Sequence, residues 1–348
     1  MERFRSGDAY STAAQGSSRF TTARAAILTA ATATLLTSCV AGCAAGTESH
    51  GQQSSTSASS ASATPTSVDP SEVVGADKVP GVSQVPTLSL TIDQTYSVPA
   101  PPLDSATETK APFVQGLEFE PDGSLLMGTG LYGESQIYRF PQWLDNPDAP
   151  ASDVNNLPAD LFGEGITRHG DTVWQLTWQE NRAIARDAAT LQQRREVPFG
   201  TEGWGACSFA DTIVTSDGSG TLTFRSPDDL SPQRQLPITA GGEETTWLNE
   251  LECVTTDDDH REVWANVWQS PFIYRIDPDK GEVTGIVDAT EIYRDLTAQI
   301  SPTELNTIDV LNGIALIPAT DTPAADGTRQ FLMTGKKWPL AYKVTVGK

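Results

Sequence analysis

From about residue 87 to the C-terminus, apolar residues come in short runs of strand length, separated by polar turns rich in Gly and Pro. Such runs include Leu125-Leu-Met-Gly-Thr129, Thr172-Val-Trp-Gln-Leu-Thr-Trp178, Thr212-Ile-Val-Thr-Ser216, Val263-Trp-Ala-Asn-Val-Trp268 and Phe331-Leu-Met-Thr334. Strand alternation over 173–178 puts Trp174, Leu176 and Trp178 on one side of the chain. Ser135–Phe140, Thr221–Arg225 and Phe272–Ile276 read as partner strands. Pro121-Asp-Gly123, Asp217-Gly218 and Pro278-Asp-Lys-Gly281 supply the turns. The pattern predicts an all-β domain, with one short helix expected at Asp288–Leu296.

A short phrase precedes each of the five main runs: Gln115-Gly-Leu-Glu118, Glu164-Gly-Ile-Thr167, Glu202-Gly-Trp-Gly205, Asn249-Glu-Leu-Glu252 and Asn312-Gly-Ile-Ala315. Their second positions, 116, 165, 203, 250 and 313, lie 49, 38, 47 and 63 residues apart. A period of ~40–50 residues carrying several short strands is that of a β-propeller blade. Residues 87–348 therefore read as a five-bladed β-propeller. The alternation of Thr87-Leu-Ser-Leu-Thr-Ile92 is expected to add an outer strand to the last blade and close the ring. First strands line the channel of a propeller, so the leaders Gln115, Glu164, Glu202, Asn249 and Asn312 should converge on one opening, with glycines allowing close backbone approach. Trp178, Trp204, Trp268 and Trp338 recur at echoing positions and suggest an aromatic frame around that opening. Trp174 and Trp264 suit packing between blades.

The first part of the chain reads differently. Arg3, Arg5, Arg19 and Arg24 precede an uncharged apolar stretch from Ala25 to Leu36, the pattern of an export signal too short to span a bilayer comfortably. Leu36-Thr-Ser-Cys39 and Val40-Ala-Gly-Cys43 both fit a lipobox, so either Cys39 or Cys43 is the expected lipid attachment site after removal of a segment of about residues 1–42. Residues 43–86, rich in Ser, Thr, Ala and Gly, read as a flexible low-complexity linker. The expected location is the cell envelope, with a lipid anchor on the outer side of the cytoplasmic membrane.

Composition narrows the chemistry. With 45 acidic and 23 basic residues, the net charge of −22 opposes binding to phosphate backbones, and no nucleic-acid partner is expected. The three histidines, His50, His169 and His260, lie far apart, which argues against a histidine-rich zinc site or a Ser-His-Asp hydrolase. Cys207 and Cys253 follow the third and fourth phrases. Adjacent blades could bring them together in an exported protein, but blade strands are often too far apart, and the sequence leaves the bond open.

Several motifs carry a resemblance: Phe113-Val-Gln-Gly-Leu-Glu118 with Gly130-Leu-Tyr-Gly-Glu-Ser135, and Phe162-Gly-Glu-Gly-Ile-Thr167 with Gln175-Leu-Thr-Trp178. Glu202-Gly-Trp-Gly205 with Ser216-Asp-Gly-Ser219, Leu248-Asn-Glu-Leu-Glu252 with Ala265-Asn-Val-Trp268, and Leu311-Asn-Gly-Ile-Ala315 with Thr334-Gly-Lys-Lys-Trp338 continue it in order. From about residue 90 onward the chain resembles the plant-type and bacterial glutaminyl-peptide cyclotransferases. The resemblance implies a metal-free five-bladed propeller that turns the N-terminal glutamine of peptides or proteins into pyroglutamate and releases ammonia. It implies Glu164 as the acid/base residue, and Phe113, Gln115, Trp178, Trp204, Asn249, Trp268 and Lys336 as substrate-binding residues. Val114 departs from the usual Phe-Thr-Gln, and the Pro-His-Asp that often precedes the first phrase is missing; both bear on the pocket edge and on substrate preference. A monomer without a cofactor is expected, with a structural calcium left open.

Two rival readings keep the same fold. One is a calcium-dependent lactonase or hydrolase using Glu118, Glu202, Glu252, Asn249 and Asn312; the other is a non-catalytic envelope binding protein.

Overall fold

A computed structural model describes residues 79, 81–98, 111–256, 260–318 and 328–347. The export segment, Cys39, Cys43, most of the expected linker and Asp257-Asp-Asp259 lie outside the described residues. Among the described residues no helix is long and apolar enough to cross a membrane.

The domain is all-β, a propeller-like arrangement of five sheets. Sheet 1 is a meander of Val114–Phe119, Leu125–Thr129, Gln136–Phe140 and Ser152–Asn156. Sheet 2 runs through Gly163–His169, Thr172–Thr177, Arg182–Asp187 and Gln193–Pro198, and sheet 3 through Ala206–Ser208, Ile213–Thr215, Thr221–Arg225 and Pro232–Pro237. Sheet 4 is built on Leu248–Thr255, Arg261–Val267, Phe272–Asp277 and Glu282–Asp288. Sheet 5 comprises Leu311–Leu316, Arg329–Gly335, Leu340–Val346 and, at its outer edge, Leu90–Ser97.

The repeat is not uniform. Four sheets have four strands, whereas sheet 4 has seven, because Thr239–Ala240, Glu243–Glu244 and Thr87–Leu88 add to its outer edge. Thr87 and Leu88 pair in parallel with Ile286 and Val287, so the expected closing strand is divided. Its first two residues join sheet 4, and Leu90–Ser97 runs antiparallel to Leu340–Val346 in sheet 5. Pairing the two ends of the domain in one sheet joins its N-terminal strand to its C-terminal strand.

Packing explains the apolar runs. Each pair of neighbouring sheets encloses its own apolar layer. Leu126 and Ile137 of sheet 1 meet Ile166 and Val173 of sheet 2, and Trp174 and Leu176 of sheet 2 meet Ala206 and Ile213 of sheet 3. Val214 and Phe224 of sheet 3 face Ala265 and Tyr274 of sheet 4. Trp264 of sheet 4 packs with Phe331 and Met333 of sheet 5, and Leu332 of sheet 5 packs with Leu125 and Met127 of sheet 1. A strand in such a stack is covered on both faces and so reads as continuously apolar. Trp174 and Trp264 take the packing role expected of them, both essentially without exposure.

Ordered packing begins upstream of residue 87. Val79, Val82 and Val85, within the stretch read as linker, are buried in the layer between sheets 3 and 4. The expected helix forms at Thr290–Gln299, burying Ile292, Tyr293 and Leu296, and is followed by Pro302–Leu305, whose Ser301 and Glu304 close a capping box.

Cys207 and Cys253 are bonded, with Cα atoms 5.3 Å apart, and join the inner strands of sheets 3 and 4. The bond spans 46 residues, for which loop-closure entropy gives a stabilisation of about 4 kcal/mol. Replacing both cysteines with alanine should lower the unfolding free energy by about 3–4 kcal/mol in urea titrations. Equal midpoints for the oxidised protein and the double variant would count against the bond.

Candidate active site

The inner strands meet around the axis with little room between them. A Cβ on Gly116 would lie 2.6 Å from the Ile166 nitrogen, and one on Gly165 2.6 Å from the Trp204 carbonyl oxygen. The Gly165 N–H donates to that same oxygen at 2.8 Å. In sheets 1, 2, 4 and 5 the register of the first strand slips at the phrase, between Val114 and Gly116, Gly163 and Ile166, Leu248 and Leu251, and Leu311 and Ile314. Irregularities of this kind re-aim side chains.

The third phrase is corrected by this register. Leu117 pairs with Met127, Ile166 with Gln175, Leu251 with Ala265, Ile314 with Met333 and Ala206 with Thr215. Counting back two residues from each gives Gln115, Glu164, Asn249, Asn312 and Trp204. Glu202 therefore does not belong to the ring of leaders. It lies two residues upstream, in the link between sheets 2 and 3.

The polar leaders form a relay. Asn312 Nδ2 donates to Gln115 Oε1 at 3.3 Å and to the Val114 carbonyl at 3.1 Å, and Gln115 Nε2 donates to Glu164 Oε1 at 3.0 Å. Glu164 is only 5% exposed. Burial pushes its carboxyl well above the usual carboxylate range; the positive charge of Lys336 opposes this, and the negative charges of Glu202 and Glu180 add to it. Lys336 is itself buried, which lowers its ammonium pKa against the pull of Glu164 and Asp309. Its Nζ lies 5.2 Å from the centre of the Phe113 ring, and Phe113 and Lys336 also pair through their backbones. Asn249 is buried, with a side-chain oxygen that has no protein partner among the described residues.

Aromatic side chains wall the site. Phe162 touches Phe113, Tyr132 and Trp178 edge-on at 6.0, 5.4 and 5.5 Å. Trp268 meets Trp204 at 5.6 Å and Trp247 at 6.2 Å. Trp178, Trp204 and Trp268 are partly exposed, as a pocket wall requires. Trp338 is not part of this frame: it is fully buried against Tyr293 and Tyr342, with its indole N–H on the Asp309 carbonyl at 2.7 Å. An echoing position in sequence was a poor guide there, because Lys337 adopts a left-handed conformation, φ 58°, just before it. Phe162, Trp247 and Tyr132 were missed as wall residues. Tyr132 had one usable signal, its place in a Gly-flanked tip between strands.

Three further carboxylates lie along the inner strands. Glu250, which replaces the phrase glycine, accepts the Leu117 N–H at 3.3 Å and the Ile314 N–H at 2.8 Å, and so ties sheets 1, 4 and 5 together. Glu118 accepts the Arg168 N–H at 3.0 Å. Burial raises the pKa of Glu118, Glu250 and Glu252. Of the rival calcium set, Glu202 accepts hydrogen bonds from the Trp178 and Trp204 indoles and from Gln179. Among the described residues no group of three His, Cys, Asp or Glu side chains is placed to hold a metal ion.

Residues 85–346 match the glutamine cyclotransferase family model. The chain is 32% identical over 235 residues to a glutaminyl-peptide cyclotransferase of Arabidopsis thaliana, covering 67% of this chain and 66% of that protein, just under two thirds of the relative's length. The crystal structure of Myxococcus xanthus glutaminyl cyclase superposes with a TM-score of 0.61 at 27% identity, covering 76% of this chain and 98% of that one.

The channel carboxylates should shape stability as well as chemistry. Glu118 is raised from 4.5 to about 7, chiefly by desolvation. Between those values the folded protein holds a proton that the unfolded chain has released, so stability falls as pH rises through that window. Glu118→Gln should flatten the fall, read as urea midpoints across the window. An unaltered pH slope in the variant would show that Glu118 is ionised throughout.

Proposed function

The chain belongs to the glutamine cyclotransferase family, and we propose that it converts the N-terminal glutamine of peptides or proteins to pyroglutamate with release of ammonia. The observation that carries this reading is a buried carboxyl, Glu164, held by Gln115 at 3.0 Å and influenced by Lys336 within an aromatic wall. The scaffold of the reading is a five-bladed propeller, with the enlarged sheet 4 counted as the fourth blade.

The reaction forms one bond from the α-nitrogen to the side-chain amide carbon and breaks the bond from that carbon to its nitrogen. An α-ammonium titrates near ~7.7–8.0, so a base is needed to complete its deprotonation. Glu164 takes that proton and returns one to the leaving nitrogen, which departs as ammonia. Both halves of the task need a carboxyl whose pKa is raised towards the working pH, and the opposition between burial and Lys336 supplies such a balance. Gln115 holds the carboxyl in place, and its own amide is fixed by Asn312. Lys336 offers positive charge to the oxyanion of the tetrahedral intermediate. The unpaired oxygen of Asn249 is an acceptor, which suits a substrate N–H better than an oxyanion. The indoles of Trp178, Trp204 and Trp268, with the ring of Phe113, hold the substrate by dispersion and by attraction for its cationic nitrogen. Ring closure is intramolecular, so selecting a folded-back conformer supplies much of the rest.

Export with a lipid anchor at Cys39 or Cys43, on the outer side of the cytoplasmic membrane, is part of the same proposal. It is supported by the signal-like sequence and by the Cys207–Cys253 bond, which suits an oxidising compartment. A monomer working without a cofactor completes it.

An ammonia-release assay on a glutamine-initiated dipeptide, with and without EDTA, tests the activity. Chelator-resistant release is expected. Glu164→Gln should keep the fold and lose about 10²–10⁴-fold in turnover. Wild-type turnover in that variant would remove Glu164 from the mechanism, and release abolished by EDTA would favour the calcium-dependent reading.

A further inference from the structure

Glu202 has no role in the reaction as written above, yet its carboxylate is among the most heavily engaged at the pocket. Its Oε2 accepts the indole N–H of Trp178 at 3.1 Å and that of Trp204, also at 3.1 Å. Its Oε1 accepts from Gln179 Nε2 at 3.1 Å. Trp178 follows the second strand of sheet 2, and Trp204 leads into the first strand of sheet 3. One oxygen thus bridges two walls that belong to different sheets.

We infer that Glu202 is a positioning residue that holds the Trp178 and Trp204 indoles in their substrate-binding planes. An indole has a single donor and no acceptor, so nothing else polar on either side chain competes for its orientation. Hydrogen bonds to a charged acceptor are the stronger kind. Both rings are partly exposed, and the bridge opposes the swing of either toward solvent. Trp204 is constrained from other directions too: its ring lies over Gly218, whose φ of 79° and lack of a side chain leave the space, and it packs edge-on with Trp268, ring centres 5.6 Å apart. Its carbonyl takes the N–H of Gly165, the residue after Glu164, at 2.8 Å. The bridge therefore connects the aromatic wall to the backbone that carries the acid/base residue. The link itself is pinned, since the Gly203 N–H donates to the Thr177 carbonyl at 3.0 Å. This role rests on the cyclase reading for its effect on substrate, but the geometry it claims exists without substrate.

The test compares Glu202→Ala with Glu202→Gln. Glutamine keeps an oxygen for both indoles, and the exposed Gln179 amide can turn to accept its new N–H group. Glu202→Ala should alter the near-ultraviolet circular dichroism of the free protein and raise KM for a glutamine dipeptide about tenfold or more, with kcat changed less. Glu202→Gln should restore both the dichroism and most of the KM. In a double-mutant cycle, Glu202→Ala and Trp204→Phe should be less than additive in KM. Wild-type dichroism and KM in Glu202→Ala would overturn the inference. So would a Glu202→Gln variant with wild-type dichroism and a KM as poor as alanine, since charge rather than orientation would then matter. The dichroism needs no turnover, so a wild-type protein that releases no ammonia would sink the cyclase reading and leave the bridge to be judged on its spectrum.

Discussion

The backbone contact between Gly165 and the Trp204 carbonyl, 2.8 Å from nitrogen to oxygen, expresses the constraint on which the site depends. Inner strands that approach this closely leave no room for a side chain between them, and glycine at 116 and 165 is the solution at two of the contacts. Where glycine is absent, at Glu250, the side chain instead crosses to donors on two other inner strands, the Leu117 N–H of sheet 1 and the Ile314 N–H of sheet 5. The same crowding forces register slips in four first strands, and those slips aim Gln115, Glu164, Asn249 and Asn312 where a regular strand would not. The pocket is a consequence of how the ring closes.

Crowding also sets the electrostatics. The axis collects Glu118, Glu164, Glu250 and Glu252, all raised in pKa chiefly by loss of water. Such groups cost stability when ionised, and a domain held together by five apolar layers and a disulfide can carry that cost. Lys336 is the counterweight at Glu164. Its placement beside Phe113 comes from the backbone pairing of those two residues, which joins the entry of sheet 1 to sheet 5. The charge balance at the acid/base residue is therefore fixed by the same seam that closes the ring.

The aromatic wall has a separate logic. Its rings come from strand ends and connecting links, where packing between sheets no longer dictates orientation, and polar partners take over that task. Glu202 serves Trp178 and Trp204, while Glu180 accepts the hydroxyl of Tyr132 at 2.7 Å. Two residues with left-handed backbone, Leu131 at φ 87° and Trp247 at φ 62°, lie beside or within this wall.

The all-β class, the repeated phrase and the inter-sheet roles of Trp174 and Trp264 were legible in the chain itself, because strand alternation and turn chemistry are local. Glu164, Gln115 and Asn249 were legible as leaders for the same reason: a repeat puts equivalent residues in equivalent places. Tertiary structure alone decided the rest. It moved the third leader from Glu202 to Trp204, since register is set by cross-strand pairing that a loose phrase does not record. It buried Trp338, which a left-handed residue turns into the core, and divided Thr87–Ser97 between two sheets. It also brought Cys207 and Cys253 within bonding reach, a distance between sheets that no spacing along one chain encodes.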